Sequence, residues 1–340
     1  MTRPTLREQH ARCPRLPTTG AIVRTVALAV LALACGSPTV VEEFALRRPN
    51  VFPHDPAVGR DGIVWYTDQA NSFIGRLDPA TGAVTDFETP TPASGPHGIT
   101  VAPDGNVWYT ANRVGKLGRL DPATGKITEY AVGARDPHTL VFSKGLVWFT
   151  VQRGNQYGNL DPATGQAHVW RVATPNALPY GIVPTAGGAL WVALFGTNRL
   201  GHVVAETGEM HEIVLPNAAT RPRRLAVGGD GKVWYTDYAR GYLGMVDPST
   251  QAMREFAAPG GARSGPYGIA IGTDGRIWYN EAGTSTMVAF DPKTERMETV
   301  AIPTTGAIVR HMVTDSTRAT LWLALSGTGR LGRIKLPGAK

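Results

Sequence analysis

The stretch GPHGITVAPDGNVWYTA (residues 95–111) decides the fold. It opens on a Pro-His-Gly triplet, turns at Asp104-Gly105, and returns through a Trp-Tyr-Thr run. A DG pair between two short apolar, β-branched runs is a strong hairpin signal. The stretch also recurs. Its openings are Pro53-His54, Pro96-His97, Pro137-His138, Pro179-Tyr180, Pro222-Arg223, Pro266-Tyr267 and Arg310-His311, spaced 41–44 residues apart. Seven tryptophans keep the same beat: Trp65, Trp108, Trp148, Trp191, Trp234, Trp278 and Trp322. A fixed period of this size is the mark of a repeat architecture.

Each unit reads as four strands. After the hairpin of residues 97–111, KLGRLDP supplies a third strand, ATG a turn, and KITEYAV a fourth. Four strands per unit, Gly-rich turns and no helical periodicity describe a β-propeller blade. Composition agrees, since Gly (40) and Pro (26) make up about a fifth of the 340 residues and both disfavour long helices. The last unit has only three strands, whereas VVEEFALRRP (40–49) looks like a fourth strand without a blade. The expectation is an all-β, seven-bladed propeller of four-stranded blades, closed by the N-terminal strand (41–47) joining the last blade. Closure removes the free sheet edges that invite aggregation.

In this scheme the repeated Trp is packing, and Asp78, Asp121, Asp161, Asp247 and Asp291 of the LDPATG-like turns are turn residues. The net charge of +7 is concentrated at the start: Arg3, Arg7, Arg12, Arg15 and Arg24 against Glu8. No basic run remains to serve a nucleic acid. The apolar run TVALAVLALA (25–34), preceded by basic residues, is too short to span a bilayer and fits a signal-peptide core. Residues 1–35 are therefore expected to be an export signal, with 36–340 a single periplasmic or extracellular domain, monomeric and without a transmembrane span. Cys35 directly follows ALA and is a candidate lipid anchor. Cys13 and Cys35 are the only cysteines, so the domain is expected to have no disulfide and no thiolate metal site.

Propeller geometry places the first strand of each blade on the central channel and brings the PHG and WYT ends to one rim. The first-strand position holds His54, His97, His138, Tyr180, Arg223, Tyr267 and His311. The end of the second strand holds Asp68, Ala111, Val151, Leu194, Asp237, Glu281 and Leu325. Titratable groups converging on a concavity define a candidate site. His54, His97, His138, Tyr180, Arg223, Asp68 and Asp237 are assigned to binding a small molecule or peptide. His311, Glu281 and Tyr267 are the candidate catalytic set, with Glu281 also the candidate metal ligand.

The repeat GPHGITVAPDGNVWYTANRVGKLGRLDPATGKITEY resembles the virginiamycin B lyase (streptogramin B lyase) family, and the likeness covers residues 40–336. The resemblance implies a seven-bladed propeller that opens the ester of a cyclic depsipeptide by elimination, with Mg²⁺ assistance and a histidine base. Such chemistry is coherent: a metal polarises the carbonyl while a base takes the α-proton. It also implies catalytic residues in the last two blades. The penultimate blade carries a His where this chain has Tyr267. The last blade carries a His, matched by His311, and two Glu, where this chain has Val309 and Leu325. Glu281, in WYNE, is the available substitute. Three readings follow: a lyase acting on a lactone or ester, a non-catalytic binding propeller, and a calcium-dependent hydrolase of the gluconolactonase or regucalcin type. Seven units and few channel carboxylates stand against the last.

Overall fold

The structure, a computed structural model, describes residues 39–315, 317 and 319–336. The expected export signal, with Cys13 and Cys35, lies outside the described residues. Seven four-stranded antiparallel sheets make up the described part. Blade 1 comprises Pro53–Val58, Val64–Asp68, Phe73–Leu77 and Val84–Glu88, and the next five blades repeat that order. Blade 7 takes Val309–Thr314, Thr320–Leu325 and Arg330–Lys335 from the C-terminal end and Val41–Ala45 from the N-terminal end. Val41 faces Ile334 and Ala45 faces Arg330 in that closing pair. Each innermost strand packs against those of the two neighbouring blades, and blade 7 against blade 1, so the ring closes. Among the described residues no helix is long and apolar enough to cross a membrane.

The strands form where Val, Ile, Trp, Tyr and Thr cluster, residues that fit a pleated, half-buried surface. Seven apolar clusters hold the ring, one per blade junction, and each contains one repeated Trp. Trp65 lies with Ile99, Val107 and Tyr109 of blade 2, and Trp322 with Val64, Tyr66 and Leu77 of blade 1. All seven are at most 5% exposed. Burying so large a ring contributes several kcal/mol, of order 25 cal/mol per Å² removed from water.

The glycine of the third strand follows from the residue beside the Trp. A Cβ at Gly75 would run into the ring of Tyr66, and one at Gly118 into the ring of Tyr109. The tyrosine occupies that space and reaches the outermost strand, where Tyr66 Oη donates to Asp86 at 3.1 Å. The LDPATG aspartates are turn residues: Asp121 accepts from Ala123 N at 2.9 Å and from Thr124 Oγ1 at 2.8 Å. Those bonds hold its exposed carboxyl below the ordinary aspartate range.

Candidate functional site

Every innermost strand begins with a bulge. In blade 1, Pro53 faces Asp68 and Pro56 faces Tyr66, so His54 and Asp55 together oppose Thr67 alone. A bulge re-aims side chains, and here it delivers two successive residues to the channel. The first bulge residues are His54, His97, His138, Tyr180, Arg223, Tyr267 and Arg310. The second are Asp55, Gly98, Thr139, Gly181, Arg224, Gly268 and His311.

This register corrects the expectation for blade 7, where Arg310 holds the ring position and His311 sits one place deeper. The cause is hairpin length. Residues 315–320 separate paired Thr314 and Leu321, one more than the residues 59–63 between Val58 and Val64. The extra residue restores the usual spacing to Trp322 and disguises the shift.

The Thr of the WYT run is a stitch between blades. Thr67 Oγ1 accepts from Asp55 N at 3.1 Å and donates to the His97 carbonyl of the next blade at 2.8 Å. Thr110, Thr150 and Thr236 repeat the arrangement, and Asn280 does so through its amide. Blades 4 and 7 carry Ala193 and Ala324 there. The PHG–WYT pairing is thus chiefly architecture: it satisfies the amide that the bulge frees.

The first ring is packed rather than open. His54, His97, His138, Tyr180 and Tyr267 are each at most 4% exposed. The imidazoles of His54 and His97, and of His97 and His138, are 3.8 Å apart between centroids and tilted 40° and 46° to one another, and Tyr180 follows 4.1 Å from His138 at 52°. Burial first, and then Arg224 beside His54 and the adjoining imidazoles beside His97 and His138, hold these three well below the ordinary histidine value. Burial likewise pulls His311 down to about 3, with Arg224 adding to the effect. Burial thus keeps these imidazoles neutral at physiological pH.

The other side of the ring is cationic. The Arg223 guanidinium lies over four rings: 3.9 Å from the centroid of Tyr267, 4.3 Å from Tyr238, 4.7 Å from Tyr180 and 5.0 Å from Phe195. Its Nη2 donates to Tyr180 Oη at 3.1 Å, and the Tyr180 and Tyr267 hydroxyls meet at 2.5 Å. Burial opposes ionisation of Tyr267, but Arg223 and Arg224 outweigh it and bring that phenol below its ordinary value. Burial and Tyr267 push Tyr180 the other way. Tyr238, 38% exposed, opens this cluster to solvent.

Beneath the first ring an ion pair crosses the channel. Arg224 Nη2 donates to both oxygens of Asp55, at 3.0 and 3.1 Å, and Nη1 to Thr139 Oγ1 at 3.2 Å. His54 Nδ1 lies 2.8 Å from Asp55. Sequence reading missed Asp55, Thr139 and Arg224. The signal was available, because this place is Gly in PHG and PYG, and four blades depart from it.

The second-strand carboxylates do not join the ring. Asp68 accepts from Phe52 N at 3.0 Å and pairs with Arg48 at 2.6 Å. Asp237 accepts from Arg221 N at 3.0 Å and pairs with Arg240 at 3.3 Å. Glu281 accepts from Gly260 N at 2.9 Å, Thr284 Oγ1 at 2.8 Å and Thr286 Oγ1 at 3.2 Å. Each fixes the loops around its blade, and none hydrogen-bonds His311 or Tyr267.

Mg²⁺ takes oxygen donors in octahedral geometry. With Arg310 at the ring position, the two glutamate places of blade 7 fall on Ile308 and Leu325, both apolar, and the Glu281 oxygens are engaged. Among the described residues one group, His54, Asp55 and His97, brings its potential ligand atoms within 4.8 Å of one another. Its carboxylate already holds a guanidinium. The residues present therefore do not fit a Mg²⁺ centre.

The model of the virginiamycin B lyase family matches residues 34–259, more than half of the sequence. The chain belongs to the virginiamycin B lyase family. The match ends before blades 6 and 7, where the resemblance places the lyase's catalytic groups. A streptogramin B lyase structure is 25% identical, with a TM-score of 0.81, covering 88% of this chain and 98% of its own. A catalytically inactive virginiamycin B lyase from Staphylococcus aureus, with quinupristin, is 24% identical, with a TM-score of 0.82 and coverage of 88% and 100%. Hydrazine synthase of Kuenenia stuttgartiensis, at 12% identity, a TM-score of 0.75 and coverage of 86% and 98%, shares the fold. No curated protein matches the sequence.

Proposed function

We propose that this protein is an exported, ligand-binding member of the virginiamycin B lyase family that does not carry out the lyase's metal-assisted elimination. The observation behind this reading is the division of the ring. With blade 7 in its observed register, the positions that would supply acid, base and metal ligands hold Tyr267, Arg310, Ile308 and Leu325, while Arg223 stands in an aromatic surround that reaches solvent at Tyr238. A guanidinium framed by rings recognises a carbonyl or carboxylate acceptor carried on an apolar or aromatic body. Blades 4–6 thus offer the binding surface for a small molecule or peptide. Export rests on the apolar run 25–34 behind its basic segment.

Quinupristin is the probe for both parts of the reading. Incubation with the protein and Mg²⁺, followed by chromatography and mass spectrometry, is expected to return the cyclic compound unchanged. Equilibrium dialysis is expected to show it retained by the protein and retained at least about tenfold less by Arg223→Gln, the loss of one charge-assisted contact. A Mg²⁺-dependent linear product of unchanged mass would overturn the non-eliminating reading. Equal retention by the variant would remove Arg223 from the binding site.

A further inference from the structure

The propeller carries opposite charge on its two faces. One face holds the blade-to-blade connections and the loops between second and third strands; the other holds the hairpin turns within each blade. The loops of the first face contain eight arginines, no lysine and one carboxylate, Asp136. The turns of the second contain thirteen acidic residues against eight basic ones. No basic run announces the first face in the sequence, because its arginines come together only when the ring closes.

Some of these arginines are balanced within the chain. Arg48 pairs with Asp68 and Asp86, and Arg240 with Asp237 and Glu255. Arg47, Arg113, Arg135, Arg153 and Arg263 are exposed and form no ion pair with a described residue. On the opposite face, Asp78, Asp121, Asp161, Asp247 and Asp291 come one from each of five blades. Hydrogen bonds from their own turns hold all five below the ordinary aspartate range, and none forms an ion pair with a described residue. The two sets also share a radius. Arg113 precedes, and Asp121 follows, the third strand Lys116–Leu120; Arg153 and Asp161 flank Gln156–Leu160 in the same way. Each such pair lies at one distance from the channel axis, to within about the 4.8 Å spacing of neighbouring strands.

We propose that, in place of the expected monomer, copies of this protein associate front to back, the arginine loops of one chain resting on the aspartate turns of the next. Coaxial stacking superimposes the two sets because both are built on the ends of the same strands. A guanidinium fork suits a carboxylate, which accepts at several lone pairs and so keeps its turn bonds. The contact uses two different surfaces, so each end of the assembly still offers one free face and the stack stays open. A single exposed ion pair contributes little. The association therefore rests on the summed field of two rings, which steers encounter and is sensitive to salt. It is independent of the ligand site at Arg223.

Sedimentation velocity of the full chain tests the assignment. The sedimentation coefficient is expected to rise with concentration without stopping at a dimer. Association should weaken at least about tenfold between about 0.01 M and about 1 M salt, as the screening length falls from about 30 Å to about 3 Å. Two double variants separate the faces. Arg113→Glu with Arg153→Glu reverses charge on the loops alone. Asp121→Asn with Asp161→Asn removes charge from the turns and keeps their acceptor oxygens. Each should associate several-fold more weakly than the unaltered chain; thermal melting confirms that each folds. Mixed in equal amounts, the two variants supply one intact face each and should form a one-to-one complex as tight as the unaltered contact. A monomer at every concentration in low salt would overturn the proposal, as would association indifferent to salt. Failure of the mixed variants to pair, or an unaltered chain that stops at a dimer, would overturn it too.

Discussion

Blades 1–3 and blades 4–7 present the same backbone position to the channel and fill it with different chemistry. On one side His54, His97 and His138 pack as tilted, neutral imidazoles. On the other stand Tyr180, Arg223, Tyr267 and Arg310, with one guanidinium held among four aromatic rings. The Arg224–Asp55 pair ties the two halves together. The repeat thus dictates where a side chain goes, and its neighbours dictate what it does. A histidine at the ring position is packing when its neighbours are imidazoles, whereas an arginine there remains a charge that needs a partner.

The sharpest way to break this comparison is to cut the tie. Arg224→Met leaves the Asp55 carboxylate buried without its guanidinium, a situation that costs about 3–5 kcal/mol. Chemical denaturation should show that loss, and Asp55→Asn in the same chain should recover a good part of it. A loss under about 1 kcal/mol would mean that water already reaches the pair.

Acid probes the histidine half most strongly, with His311 of blade 7 as a further imidazole, held low by burial, that responds in the same direction. Above the ordinary histidine value near 6.5 the three imidazoles are neutral in both the folded and unfolded chain and contribute no pH dependence. Below it the unfolded chain takes up protons that the buried rings refuse, because burial holds their folded values low. Stability therefore falls with falling pH, by up to about 1.4 kcal/mol per pH unit for each ring. Melting curves between pH 7 and 5 should show this, and His97→Asn should make the slope shallower. A flat profile would contradict the dry packing of these rings.

The smallest effect concerns the stitch that both halves share. Thr150→Val removes the hydroxyl between Thr139 N and the Tyr180 carbonyl, and unfolding should become easier by about 1–3 kcal/mol. Blades 4 and 7 bear Ala193 and Ala324 at this place and keep the same strand order, so the fold itself should survive.

The architecture was legible because its causes are local and repeated. A DG hairpin, a Trp at each junction and a strand left over at one end determine blade count and closure without knowledge of any long-range contact. The ring was only partly legible. Spacing to Trp322 pointed to His311, but one additional hairpin residue moved Arg310 into its place. The carboxylates Asp68, Asp237 and Glu281 sit next to the ring positions in strand pairing, yet their side chains turn to the loop amides at Phe52, Arg221 and Gly260. Pairing register is a one-dimensional property, whereas side-chain direction at a bulge is not. The Arg224–Asp55 pair spans 169 residues, and no pattern of local spacing could announce it, although the departures from Gly at the second bulge position marked both ends.

The most direct test of the account is a histidine titration by heteronuclear NMR. The ring and carbon-bound proton shifts of His54, His97 and His138 would be followed from pH 8 to 5 in the folded protein. The account predicts that none of the three moves through a protonation step in that range. A midpoint near the ordinary histidine value of about 6.5 for any of them would mean that the ring is wet and open, and the division between a packed half and a binding half would fail.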